Sequence, residues 1–323
     1  MTDDFSTEAS PDVRARINAA LARMEARPGL VQAAGIALAV AGHAVPLLFP
    51  VASVVLCVHL ADALTEGGFG ALTSAWPHML MLAFCATLTL SLWRLRVSEP
   101  GGEPLTEQQA QALFEQVETL CEVFQTPQIH DIHLTEAADL VVQRVPRNGY
   151  PFLVRQVLQI GLPALQCLSP EQFKCLLAAC LGELSSARAD VAGWLAQLTR
   201  TWRQIEIAVA GRWEPAALLY RSLLVVYLPA LRQIAQRLDS AHRLRRDHYA
   251  LEVASDDLVV DMIAGEIVMR RFLNEHYWPT VQRTAEHSAM PDFKVFRNLE
   301  SVFRKRIGDE QIQVWLREAF LGK

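Results

Sequence analysis

The reactive and ligating side chains of this chain are few, and the stretch that best gathers them is Leu168–Asp190, LSPEQFKCLLAACLGELSSARAD. Ser169 is a good N-cap, Pro170 suits the first helical position, and Gln172 stands where a capping box takes Glu or Gln, so a helix starts here. Cys180 and Glu183 lie three residues apart, on neighbouring parts of one helical face. Set among apolar residues, Cys180 reads as a small buried side chain rather than a reactive thiol. Cys121, Cys167, Cys175 and Cys180 show no paired C-x-x-C spacing, and Cys57 and Cys85 fall in apolar segments, so reduced thiols are expected. His130 and His133 flank a strand start and read as surface residues. His242, His276 and His287 have no partner at metal spacing.

The elements that must position these residues follow from hydropathy. The 323 residues are 51% hydrophobic and 20% charged, and the mean hydropathy is positive, which is high for a wholly soluble protein. No Asp, Glu, Lys or Arg occurs between Arg27 and Asp62, nor between Glu66 and Arg94. A transmembrane helix needs roughly 20 such residues, so both segments qualify; the alternative is a pair of buried core helices. The first is long for one span, and Pro46 and Pro50 predict a kinked or tilted helix, or a re-entrant turn. The second runs from Trp76 to Trp93 with an aromatic anchor at each end. No short apolar run with a small-residue cleavage site marks a signal peptide. Arg14, Arg16, Arg23 and Arg27 precede the first span, Arg94 and Arg96 follow the second, and the loop from Ala63 to Ala75 has no Lys or Arg. The positive-inside rule then places both termini in the cytoplasm. A net charge of -5 gives no nucleic-acid signal.

Taken in order, residues 1–28 end in an amphipathic helix carrying Val13, Ile17, Leu21 and Met24. Residues 29–97 form the membrane hairpin, and 98–323 a cytoplasmic domain opened by the loop SEPGGEPLT. A helix spans Thr106–Phe124. Runs around Ile132 and Leu134, Leu140–Val145 and Phe152–Ile160, broken by the turn residues Pro146–Pro151, predict a small antiparallel sheet of about three strands. Beyond Pro170 the pattern is helical. The capped helix should continue toward Arg203, and a second begins at Trp213-Glu214-Pro215, where Arg221 argues against a third span over residues 214–231. A long helix from Ser240 to His276 stops at Trp278-Pro279, and a final helical pair lies within Asp292–Phe320. The fold class expected is α+β, predominantly α-helical.

Three blocks of this sequence resemble the HtpX-like membrane zinc metallopeptidases of the gluzincin type. LLA-ACLGE-LSS falls where that family reads LLA-HELGH-LSS, after the passage VLQIGLPALQCLSPEQFKCLLA. RRDHYALEVAS, followed by RRFLNEHYWP, is similar to the family's Arg-Arg-x-Glu-Tyr-x-Ala-Asp helix and its later Trp-Pro. An N-terminal membrane hairpin is the third block, so the resemblance covers roughly residues 30–323. It implies a gluzincin-like helical domain with a small sheet beside the active-site helix, in a multi-pass protein of a bacterial inner membrane engaged in protein quality control. The chain stops at WLREAFLGK, about where such proteins go on to a His-Pro segment, which suggests a shortened member or a fragment.

The chemistry of that family needs H-E-x-x-H, two imidazoles holding zinc and a Glu that deprotonates its water. Carried across residue by residue, the two His ligands become Ala179 and Glu183, and the catalytic Glu becomes Cys180. The third ligand becomes His248 and the following Asp becomes Glu252, while Arg245, Arg246 and Tyr249 keep the local pattern. Loss of first-shell ligands costs more than the 10 to 100-fold typical of outer-shell changes, and loss of the general base a further 10² to 10⁴-fold. The expectation is therefore a membrane-anchored pseudopeptidase with no catalytic residues, no metal and no cofactor, in which Glu183 and His248 form an ion pair between helices or are solvated in a loosened cleft. Its expected partners are the lipid bilayer and a protein or peptide, a membrane protein or a protease, which it binds, scaffolds or regulates. The alternative is an active zinc endopeptidase using Cys180, Glu183 and His248 as ligands with Glu252 as base. A third reading is a structural membrane protein that only self-associates.

Overall fold

A computed structural model describes residues 28–321 apart from 190, 288–295, 297–298 and 307–308; within several helical segments, 67–74, 186–189 and 239–248 among them, it describes the backbone only. The amphipathic helix expected before Pro28 lies outside the described residues. The elements are α1 (Pro28–Ser74), α2 (Trp76–Arg94), β1 (Glu103–Leu105), α3 (Gln111–Val123), β2 (Asp131–Thr135), β3 (Leu140–Pro146), β4 (Val154–Gly161), α4 (Leu162–Cys167), α5 (Pro170–Ala189) and α6 (Val191–Val209). They continue with α7 (Pro215–Leu251), α8 (Asp256–Phe272), a π-helical turn (Leu273–Tyr277), α9 (Trp278–His287), α10 (Leu299–Arg306) and α11 (Asp309–Leu321). The chain is mostly helical, as expected, and divides into two compact units.

One unit comprises the chain up to Glu99 with Arg144–Arg155 and Ala187–His242. Among the described residues, three helices of this unit are long and apolar enough to cross a membrane: Gly29–Glu66 within α1, Trp76–Arg94, and Pro215–Leu238 within α7. The last covers the segment where Arg221 argues against a span; Arg221 is exposed, and the helix qualifies by length and composition alone. α1 runs unbroken through Pro46 and Pro50 as one 47-residue helix. Its two halves differ. Residues 31, 35, 39, 42 and 46 form a single buried stripe, whereas beyond Pro46 only Leu60 is buried up to residue 66. The stripe packs on α6 and α7, with Gly35 against Leu195 and Ile234 and Gly42 against Tyr227. Small residues at such crossings let helix backbones approach closely. Trp202, Tyr220, Leu195 and Leu228 fill the core. Glu206, buried on α6, accepts from Arg203 at 2.5 Å and from Arg232 of α7 at 3.0 Å.

The other unit comprises Pro100–Gln143, Gln156–Ser186 and Arg243–Lys323. Among the described residues its sheet has four strands in the order β1-β2-β4-β3. β2 pairs parallel with β4 from Asp131↔Val157 to Thr135↔Gly161, and β1 pairs antiparallel with β2. The Gly161 N–H donates to Asp139 O and the Arg147 N–H to Leu153 O, so β3 and β4 pair across the turn residues Pro146–Pro151. The expected three-stranded antiparallel sheet is thus a mixed one. Turn residues specify the local hairpin, but the partner of β2 is set by burial of Ile132 beside Leu158 and Ile160. β1, within the segment read as a loop, was too short to carry a strand signal.

The helical boundaries also shift. The capped helix ends at Ala189 and α6 starts at Val191, with Asp190 between them outside the described residues. The long helix expected from Ser240 is the end of α7 and then α8, separated by the turn before Ser255. Trp278-Pro279 does not stop it. Pro279 has no N–H for the ordinary ladder, and the Trp278 N–H reaches back to Leu273 O in a π-turn, after which α9 continues.

Candidate functional site

The capping box forms as the sequence requires: the Gln172 N–H donates to Ser169 Oγ at 3.2 Å and the Ser169 N–H to Gln172 Oε1 at 3.0 Å. Gln172 Nε2 also donates to Asp261 O at 3.2 Å, tying the start of α5 to α8. From Cys175 to Gly182 every residue of α5 is buried. Ala179, 1% exposed, packs in the core shared by the sheet, α3 and α8. Cys180, 5% exposed, donates its thiol hydrogen to Leu140 O at 3.5 Å, so the side chain where the family's catalytic Glu would stand is turned to the first residue of edge strand β3. Glu183 is half-buried.

The second segment lies close by. Gly182 is packed against Tyr249 so tightly that a Cβ built on it would fall inside the Tyr249 side chain. Tyr249 packs edge-on against Phe124 with ring centroids 5.8 Å apart, and Ala250 beside it is fully buried. Residues 179–183 and 249–250 are therefore brought together, at a crossing filled by an aromatic ring. The side chains of Arg245, Arg246 and His248 lie outside the described residues, and with them the expected Glu183–His248 ion pair. Glu252 is exposed, just past the end of α7. Among the described residues no group of three or more His, Cys, Asp and Glu side chains is placed to hold a metal ion.

The remaining thiols are those of a core. Burial pushes the Cys167 thiol up to about 12, with Glu300 adding to the shift, and burial likewise raises Cys121 and Cys175. His130 is exposed and its Nδ1 accepts from the Gln156 N–H at 3.3 Å. His133, read as a surface residue, is instead 3% exposed, on the β2 face it shares with the half-buried Asp131 and Thr135. Hollows flank the sheet among the described residues. One of about 780 Å³ is lined by Gly102, Thr135, Asp139, Val141, Gln143 and Gln159. Another, of about 690 Å³, runs along α3 past Glu115, Glu118, Glu122, Cys121 and His130.

Two features had no counterpart in the sequence reading: the thiol-to-strand bond, and a histidine pair on α1 and α2, His59 and His78. Their partners are distant in sequence, so spacing gave no signal for either. Comparison with family models, with curated proteins and with solved structures gives no match.

Proposed function

We propose that this chain is a membrane-anchored pseudopeptidase of HtpX-like type, with both termini cytoplasmic, that binds an extended segment of a membrane protein or partner protease. The observation that carries the reading is the α5–α7 crossing. The two segments that the resemblance pairs meet at Gly182 and Tyr249. The positions of the first imidazole and the catalytic Glu are taken by a core methyl group and by a thiol that donates to Leu140 O. A methyl group cannot ligate zinc, and a buried thiol engaged with a carbonyl cannot act as the carboxylate base. Membrane attachment is supported by the three apolar helices. Binding is supported by the edge strand β3, since an edge offers backbone groups to an added strand.

The test is zinc analysis and proteolysis on purified full-length protein, with photo-crosslinking from a probe at Val141, the half-buried neighbour on β3. The expected result is folded protein that cleaves no membrane-protein substrate and crosslinks to extended peptide. Near-stoichiometric zinc that disappears in Glu183→Ala or His248→Ala, together with metal-dependent cleavage, would establish the active endopeptidase instead. A stable oligomer that crosslinks only to itself would establish the self-associating structural protein.

A further inference from the structure

The hairpin of α1 and α2 brings two imidazoles together. His59 and His78 are both exposed, and their ring centroids are 5.2 Å apart with the planes inclined at 53°. Ionisable side chains in apolar spans are rare and are usually functional, and here two of them meet across two helices. The separation is informative. Two imidazoles that each give one nitrogen to a single tetrahedral ion, at about 2.0–2.1 Å, hold their ring centres about 5 Å apart. The surroundings favour a cation. Asp62 and Glu66 are exposed one and two turns beyond His59, and no Lys or Arg occurs between Arg27 and Arg94.

We propose that His59 and His78 form a site for one borderline divalent ion, Zn²⁺, Cu²⁺ or Ni²⁺, which staples α1 to α2. These are the ions that imidazole suits. With no third ligand converging among the described residues, water completes the coordination shell and the ion is exchangeable. Trp76, two residues before His78, is the kind of aromatic that marks a membrane–water interface, so the site is reached from the aqueous side.

The site depends on none of residues 179–252 and stands or falls apart from the pseudopeptidase reading. Full-length protein in detergent micelles is titrated with Zn²⁺ against a chromophoric chelator. One ion per chain is expected, with affinity falling more than about 10-fold in His59→Ala and in His78→Ala and no further in the double variant. His43→Ala and Glu183→Ala should leave it unchanged. Bound Cu²⁺ should show two coordinated nitrogens by electron paramagnetic resonance. Wild-type protein that takes up no ion, or uptake unchanged in both single variants, overturns the proposal. Should a variant misfold, wild type decides: Zn²⁺ should protect His59 and His78 from acylation by diethyl pyrocarbonate, and equal modification with and without the ion overturns it.

Discussion

With no Cβ, Gly182 lets the Tyr249 side chain lie directly on the α5 backbone, and a methyl group has nowhere to go there. Gly182→Ala is expected to destabilise by about 1–3 kcal/mol, the usual cost of overpacking a filled core. Gly29→Ala meets nothing and should be neutral or gain up to about 1 kcal/mol from helix propensity. Thermal unfolding followed by circular dichroism separates the two. Cys167 gives a second expectation at this scale. Its folded-state pKa of about 12 lies above the ordinary 9.0, so the stability it contributes is fully present below pH 9 and is lost as pH rises toward 12. Melting temperature should fall over that window, and less steeply in Cys167→Ala. An unchanged slope would show that this thiol is not the group that resists ionising. That Cys180 is a small buried side chain was legible in the sequence, from the apolar residues around it. What each side chain touches was not, since Leu140 meets Cys180 and Tyr249 meets Gly182 only through the fold.

Among the elements, α5 was the most legible because its start is written locally in Ser169, Pro170 and Gln172. Ser169→Ala should cost about 1 kcal/mol, read in the same unfolding assay, since it leaves a first-turn N–H without its acceptor. The sheet was less legible. A hairpin is announced by its turn, but the parallel β2–β4 pairing has no local signature, and Trp278-Pro279 punctuates α8 and α9 with a π-turn rather than ending them. Between α6 and α7 the buried carboxylate of Glu206 holds two arginines, each partly exposed. Glu206→Gln should therefore weaken that helix pair by less than the about 3–5 kcal/mol of a fully buried pair, because solvent screens the arginine ends. Addition of salt should shrink the difference between variant and wild type.

For the molecule as a whole, hydropathy located the apolar segments correctly, but it could not divide α1. Its apolar stretch of 38 residues would be about 57 Å long, nearly twice the roughly 30 Å of a bilayer core. The burial stripe resolves this. Residues 31–46 pack on α6 and α7, and residues 47–66, about 30 Å of helix, are long enough to cross alone. The protein should remain with membranes after carbonate extraction. Reporter fusions at the two ends should give the same side, whereas opposite sides would show that Pro215–Leu238 crosses too.

One continuous helix is thus both keel and mast. A tilt of residues 47–66 is passed to residues 31–46 through the same helix, less whatever bend Pro46 and Pro50 absorb. A bilayer thinner or thicker than that lower segment would lean the helix. The lean would be felt first where Gly35 and Gly42 seat against Leu195, Ile234 and Tyr227. Varying lipid chain length is therefore the way to load that contact.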